Sequence, residues 1–173
     1  GFTIKSWERA VVNMQKFNIR IKTYLMFKPP FMSEADALNH SVKWIEAVAQ
    51  KSDEISVNPM NIQRGTIIDR LHRNNEYRPP WLWSLVEMIK RAHPIIHPDG
   101  GHNGDADQIS RLIVHPTAGG RVRGAHNCGE CDSHVITWVD WVFTHVNSVY
   151  LNVARVIGAW FEVFKRNSNG HTK

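Results

Sequence analysis

Apolar residues recur along the chain with two different periods, and each change of period marks a predicted element. Helical spacing predicts an amphipathic helix over residues 3–17 and a second one over 33–50. Segments rich in β-branched and aromatic residues predict strands over 19–27 and 54–57. Ser33 is suited to cap the second helix, because its hydroxyl can accept a hydrogen bond from a backbone N–H of the first turn.

The pattern continues in the second half of the chain in shorter segments. It predicts helices over 66–73 and 81–92, and strands at 95–96 and over 109–115. Strands that alternate with helices of this length favour right-handed βαβ units and a parallel sheet. The strands are too few to close an eight-stranded barrel, so half of a barrel fits better than a complete small sheet.

The C-terminal segment has a pattern of its own. From Val135 to Val163, apolar residues recur in alternating steps of four and three, which is the heptad seam of a helix. A long terminal helix that packs against the sheet is the favoured interpretation, and a dimer seam is the alternative. The chain accordingly divides into residues 1–132 and a helical extension over 133–173.

Composition and charge narrow the class of protein. Of the 173 residues, 42% are hydrophobic and 21% are charged, which suits a globular core. The net charge of +5 and the isoelectric point near 9.4 permit a nucleic-acid partner without requiring one. No run reaches the roughly 18 apolar residues of a membrane helix, and two cysteines make no disulfide framework, so a reducing, cytoplasmic setting is expected. The start at Gly1 lacks a signal pattern and looks like the interior of a fold, which suggests a fragment without its N-terminal part.

Polar side chains follow two predicted strands at the points where those strands end. Lys28 ends the first strand, and Asn58, Asn61, Gln63 and Arg64 follow the second. Ligands bind at the carboxyl edge of parallel strands, where a lysine can neutralise an anion and amides can hold a carboxylate, ribose hydroxyls or an adenine edge. A solvated lysine and a hydrogen-bonded turn are the alternatives.

A proline-braced aromatic segment follows, in which Arg78 stands beside Tyr77 and ahead of Trp81 and Trp83. An arginine beside indoles can stack on bases and contact phosphate. The alternative is a helix start with aromatic core anchors. Because the two tryptophans are two positions apart on a helix, one of them is expected to be exposed or at an interface.

The pair Cys128 and Cys131, with His126 just before it, allows three interpretations. Two thiolates and an imidazole can ligate zinc or another metal, although a closed structural zinc site needs four ligands. An unmetallated turn and a redox-active dithiol are the other two. The acidic, glycine-containing loop over 99–107 lacks the glutamate of a calcium loop and is expected to be a solvated insertion.

Four motifs, taken together and in order, carry a resemblance to a known family. The chain resembles the C-terminal half of the radical SAM subunit of archaeosine synthase, an archaeal relative of the elongator radical SAM domain, in its motifs KPPF, NPMNIQRGT, EYRPPWLWS and GAHNCGECD. The resemblance covers about residues 1–132. As a set the motifs are specific, whereas any one of them alone is weak.

The resemblance implies an α/β fold: the second half of a partial (β/α)₆ radical SAM barrel, with a long C-terminal helix beyond it. It implies a 4Fe–4S cluster that cleaves S-adenosylmethionine to a 5′-deoxyadenosyl radical, which breaks the lysine carbon–nitrogen bond of a 7-deazaguanine adduct in tRNA and leaves archaeosine. The implied partners are tRNA and a lysine-transferring archaeosine synthase subunit. A non-catalytic basic RNA-binding module and a small zinc-binding interaction protein are the alternatives.

The resemblance also implies roles for particular residues, although it names no catalytic residue. The face for S-adenosylmethionine and substrate is expected to include Lys28, Asn58, Asn61 and Gln63. Contacts to tRNA phosphates are expected from Arg64, Arg73, Arg78, Arg121 and Arg123, and a structural or auxiliary metal site from His126, Cys128 and Cys131. Two features depart from the family pattern: Ala125 stands where a proline is expected, and the cluster-binding Cys-x₃-Cys-x₂-Cys is absent. The triad is expected upstream of Gly1, and this chain is expected to be inactive alone.

Overall fold

The computed structural model describes residues 3–97 and 110–145, with backbone alone for 141–145. Within these ranges eight elements follow one another, and apart from the strand predicted at residues 95–96 their order is the predicted one. The elements are α1 (Ile4–Lys16), β1 (Lys22–Phe27), α2 (Glu34–Ala49), β2 (Glu54–Pro59), α3 (Ile67–Arg73), α4 (Leu82–Ile96), β3 (Arg111–Val114) and α5 (Asp132–His145).

The three strands form one sheet in the order β1-β2-β3, and both pairs of neighbours are parallel. The register places Phe27 beside Pro59 and Val57 beside Val114. All three strands therefore end at the same edge of the sheet. The predicted parallel pairing is confirmed.

The core lies on one face of the sheet, between the strands and the helices α2, α4 and α5. In a strand, alternate side chains point to one face, and here most of them are apolar, with Phe27, Ile55 and Val57 fully buried. Helix α4 buries Leu82, Leu85, Met88, Ile89 and Ala92 against this face, and α5 adds Val135, Trp138 and Val139.

The expectation of half a (β/α)₆ barrel is wrong, and the described residues form a small α/β arrangement with an open three-stranded parallel sheet. One expected strand is absent because Ile95 and Ile96 belong to α4, where Ile96 is buried on the apolar side of the helix. The second face of the sheet is also open at β1, where Tyr24 and Met26 are 66% and 54% exposed. Inward-pointing side chains of a small closed barrel fill its interior instead.

Local capping explains where three helices begin. The hydroxyls of Thr3, Ser33 and Thr66 accept hydrogen bonds from the backbone N–H groups of Ser6, Asp36 and Asp69. The predicted cap at Ser33 is therefore confirmed. No helix among the described residues has the length and apolar character needed to cross a bilayer.

Two predictions fall outside the described residues. One is the solvated loop over 99–107, and the other is the part of the C-terminal heptad seam beyond residue 145. The first turns of that seam belong to α5, whose Val135 and Val139 pack in the main core. The proposed boundary between residues 132 and 133 stays a prediction.

Candidate functional site

The loops that follow β2 and β3 are joined at the carboxyl edge of the sheet. Met60 N–H donates to the carbonyl of Phe27 (3.1 Å), which continues the pairing of β1 and β2 by one residue beyond the end of β2. Ile62 N–H donates to the carbonyl of Arg123 (2.8 Å), and the Arg123 side chain donates from Nε to the carbonyl of Ile62 (3.1 Å). We call residues 58–64 and 121–128 together the carboxyl rim.

Lys28 lies at this edge, but its charge is turned inward. The side chain is buried, with Nζ 2.6 Å from Glu34 Oε2 at the start of α2 and 5.7 Å from the centroid of the Tyr77 ring. Tyr77 Oη donates to the carbonyl of Lys28 (2.8 Å), and burial raises the pKa of Tyr77 above its ordinary value. Lys28 thus ties the end of β1 to α2 and to the segment before α4.

The three amide side chains in the part of the rim that follows β2 differ in their surroundings. Asn58 is half-buried, on the sheet face that it shares with Met26, and its Nδ2 is 3.5 Å from the carbonyl of Ser56, at the limit of a hydrogen bond. Asn61 Oδ1 is buried and accepts no hydrogen bond from the described residues, whereas Gln63 is exposed. Buried polar atoms are normally paired, so Asn61 offers an acceptor to a bound group.

Asp69 organises the rim, and the sequence did not identify it as a site residue. Its side chain is 1% exposed, yet it is an anion held by two of the arginines expected to bind RNA. Asp69 Oδ1 lies 2.6 Å from Arg123 Nη2, and Oδ2 pairs with Arg73 and accepts the N–H of Gly65 (3.0 Å). The hydrogen bond from Arg73, followed by those from Gly65 and Arg123, holds the pKa of Asp69 far below its ordinary value.

A local signal for Asp69 exists in the sequence. It stands three residues after the cap residue Thr66 and four residues before Arg73, which is the spacing of a first-turn acid with an i,i+4 partner. The longer link to Arg123 crosses 54 positions and has no local signal.

Arg78 is stacked rather than free. Its Cζ lies 3.3 Å from the centroid of the Trp81 ring, and Nη2 donates to the carbonyls of His126 and Asn127 at 3.3 Å each. Nη1 is buried and has no hydrogen-bond partner among the described residues. Burial lowers the pKa of Arg78 from its ordinary value, but a guanidinium remains protonated at neutral pH. Trp81 is 40% exposed, which confirms that one indole of the pair reaches the surface.

The remaining two arginines of the rim face solvent. Arg64 and Arg121 are exposed, and no ion pair joins either of them to a carboxylate within the described ranges. The five arginines therefore differ in their pairing. Arg73 and Arg123 share the single carboxylate of Asp69, and Arg78 interacts electrostatically with Glu34 and Asp132. Arg64 and Arg121 have no carboxylate partner among the described residues.

The cysteines come together, whereas His126 does not complete a metal site with them. Cys128 Sγ and Cys131 Sγ are 3.9 Å apart, and Asn127 Nδ2 is 3.4 Å from Cys131 Sγ. His126 Nδ1 is 2.8 Å from the carbonyl of Gly124. Among the residues that the structure describes, no three His, Cys, Asp or Glu side chains gather in a way that could hold a metal ion.

The two thiols differ in environment. Cys128 is exposed, and its pKa is lowered chiefly by the backbone N–H of Cys131, with a further contribution from that of Glu130. Cys131 is buried, and burial raises its pKa. The arrangement pairs an accessible, more acidic thiol with a shielded one.

No family model matches the chain. Curated relatives do match it: the archaeosine synthase subunit beta of Methanosarcina acetivorans is 36% identical over 135 residues, which is 78% of this chain and 36% of the relative. The chain is similar to subunit beta of archaeosine synthase. The subunit of the same name from Thermococcus kodakarensis is 35% identical over 131 residues, 74% of this chain and 36% of the relative. An uncharacterized protein of Methanocaldococcus jannaschii is 31% identical over 133 residues, 76% of this chain and 33% of the relative.

The similarity confirms the resemblance seen in the motifs at the level of this named subunit. It extends over about three quarters of the chain, so it is not confined to one motif. The chain spans about a third of the length of the curated relatives it matches.

Proposed function

We propose that this chain acts in the formation of archaeosine in tRNA, as the C-terminal portion of a radical SAM subunit. The observation that carries the proposal is the 36% and 35% identity to archaeosine synthase subunit beta from two organisms, over most of the chain. The parallel sheet supports it, since such sheets bind ligands at the carboxyl edge of their strands. In this proposal the reaction is the cleavage of the lysine carbon–nitrogen bond of a 7-deazaguanine adduct.

The residues proposed to line the face for S-adenosylmethionine and substrate are Lys28, Asn58, Asn61 and Gln63. The buried Oδ1 of Asn61 suits an O–H or N–H donor, such as a ribose hydroxyl or an adenine amino group. When bound and cleaved, S-adenosylmethionine supplies a 5′-deoxyadenosyl radical. The contribution of this chain is to bind and orient, because Lys28 is already neutralised by Glu34 and fixes the end of β1.

The residues present do not fit a 4Fe–4S cluster. The chain contains two cysteines, three positions apart, which is not the Cys-x₃-Cys-x₂-Cys arrangement of the family. The proposal requires those ligands from sequence that precedes Gly1 in the whole subunit.

The proposed tRNA-binding surface is the basic part of the carboxyl rim. Arg64 and Arg121 are exposed there without carboxylate partners among the described residues, which suits contact with phosphate. Arg78 on Trp81 offers a preformed cation and aromatic platform for a base. The proposed protein partner is the subunit that transfers lysine to the base.

Ligand-observed NMR with S-adenosylmethionine tests the cofactor face. The unmodified chain is expected to show saturation transfer to the adenine and ribose protons, and Asn61→Leu is expected to weaken binding by about tenfold, because one hydrogen-bonding amide is lost. Asn13→Leu, in the exposed part of α1, is the matched control and is expected to change nothing. Equal binding by both variants contradicts the proposed face.

A second candidate is a non-catalytic RNA-binding module, which the exposed Arg64 and Arg121 favour on their own. It predicts tRNA binding that S-adenosylmethionine does not alter. The genomic sequence upstream of Gly1 separates the two functions. A Cys-x₃-Cys-x₂-Cys triad there supports the radical enzyme, and an upstream reading frame without it leaves the RNA-binding module.

A further inference from the structure

Cys128 and Cys131 stand on one turn directly before α5, and their sulfur atoms are 3.9 Å apart. We propose that they form a reversible redox dithiol that exchanges with low-molecular-weight disulfides, with Cys128 as the attacking thiol and Cys131 as the resolving thiol. The proposal is independent of the proposed role in tRNA modification. It rests on the pairing, on the unequal accessibility of the two thiols, and on the way the turn is connected to the rim.

The geometry needs little change for a bond to form. A disulfide requires a separation of about 2 Å between the sulfur atoms, so the present gap closes by a side-chain rotation and a small shift of the turn. Gly129, between the cysteines, has φ +97°, in the region that favours glycine, and a Cβ at that position would meet nothing within 4 Å. The turn therefore has space around it and a residue that tolerates its conformation.

Accessibility assigns the order of events. Cys128 is exposed, whereas Cys131 is 6% exposed and lies behind it. An external disulfide can reach Cys128 first, and Cys131 can reach the resulting mixed disulfide from inside. The lowered pKa of Cys128 and the raised pKa of Cys131 agree with this order, because the thiolate is the nucleophile.

The exchange balances in two steps. Cys128 thiolate attacks one sulfur of the disulfide R–S–S–R, forming a protein–S–S–R bond and releasing RS⁻. Cys131 then loses its proton to solvent and attacks Cys128 Sγ, forming the intramolecular disulfide and releasing a second RS⁻. The protein dithiol is oxidised by two electrons, and R–S–S–R is reduced to two thiols.

The cysteine turn is connected to the start of α4 through Asn127, whose side chain is buried. Asn127 Nδ2 contacts Cys131 Sγ, while its Oδ1 accepts the N–H of Trp83 (3.2 Å) in the first turn of α4. The carbonyl of Asn127 accepts from Arg78. Movement of Cys131 Sγ towards Cys128 removes a partner of Asn127, so oxidation is expected to loosen the start of α4.

To test the proposal, the full chain is equilibrated with mixtures of reduced and oxidised glutathione. Free thiols are then counted by alkylation and mass spectrometry. Because the chain has only two cysteines, the thiol count together with the mass distinguishes the dithiol, the glutathione adducts and the intramolecular disulfide. The expected result is a direct change from two alkylated thiols to none, in a monomer that carries no glutathione. Hydrogen exchange at residues 78–84 is expected to be faster in the oxidised form.

Two variants separate the roles of the cysteines. Cys131→Ser is expected to stop at the mixed disulfide on Cys128, and Cys128→Ser is expected to react with glutathione disulfide about tenfold more slowly than Cys131→Ser. Circular dichroism of each variant checks that the fold is kept. Equal rates in the two variants, disulfide-linked dimers in the unmodified chain, or a stable glutathione adduct with Cys131 still free would each overturn the proposal. One zinc ion per chain, retained under reducing conditions and blocking alkylation, overturns it in favour of a metal site.

Discussion

At the scale of single residues, Asp69 has the largest predicted effect on the carboxyl rim. It is almost completely buried and its charge is balanced by Arg73 and Arg123. Asp69→Asn is expected to lower the thermal midpoint by on the order of 5 °C or more, because both guanidinium groups lose their anion. Glu46→Gln, an exposed change on α2 without an ion pair among the described residues, is the control and is expected to leave the midpoint unchanged.

The same residue makes stability depend on pH in a defined direction. The pKa of Asp69 is lower in the folded chain than in the unfolded chain, where it is about 4. Its stabilising effect is therefore complete above about pH 5 and is lost as the pH falls through the folded value. Urea unfolding at several pH values is expected to show the difference between the unmodified chain and Asp69→Asn shrinking below pH 4. A difference that stays constant with pH would show that the carboxylate charge is not what stabilises the rim.

At the scale of elements, the start of α4 is capped by another part of the chain. The N-cap residue Trp81 has no side-chain hydrogen bond to the first turn, and Asn127 Oδ1 accepts from Trp83 N–H instead. Asn127→Ala is expected to lower the free energy of unfolding by about 1–2 kcal/mol, the usual effect of losing a helix cap. Urea denaturation measures this, with Asn13→Ala in exposed α1 as the control that changes stability little.

Helix α5 contributes to the main hydrophobic core, in which its Val139 is fully buried. Val139→Ala is expected to cost about 2 kcal/mol of unfolding free energy through lost burial and the cavity left behind. Thr137→Ala, on the exposed side of the same helix, is expected to change it by less than about 0.5 kcal/mol. If the two substitutions had equal effects in urea denaturation, α5 would not be part of the core.

At the scale of the whole molecule, the net charge of +5 is expected to favour tRNA binding mainly through a few basic residues of the rim. Replacing both Arg64 and Arg121 by alanine lowers the net charge from +5 to +3. In a plot of log affinity for tRNA against log salt concentration, this double substitution is expected to reduce the magnitude of the slope by about 1.5–2. Arg9 and Lys43, exposed on α1 and α2, are replaced in a control of the same charge change. Fluorescence anisotropy over a salt series measures both. Identical slopes for the two double variants would mean that binding follows net charge and not the rim.

Much of the fold was predictable because its signals are local. The apolar run Ile55 to Val57, the cap at Ser33 and the helical spacing before and after them depend on neighbours a few residues away, and each was predicted at its observed place. The helical conformation of Ile95 and Ile96 was not predicted, because a short apolar run suits a buried helix as well as a strand. Packing of α4 against the sheet favours the helix at these two residues, since it buries Ile96 in the core.

The candidate site shows the same division. The sequence by itself determined that polar and basic residues follow parallel strands, because the residues that end a strand or form a turn are recognised from their near neighbours in the sequence. Only the tertiary structure decided which of these side chains remain available to bind a ligand. Lys28 is neutralised by Glu34, and Arg123 is held by Asp69 across 54 positions, whereas Asn61 Oδ1 accepts no hydrogen bond from the part of the chain that the structure describes. The physical reason is that burial and ion pairing depend on groups brought together by the folding of distant segments, and no local pattern encodes those distances.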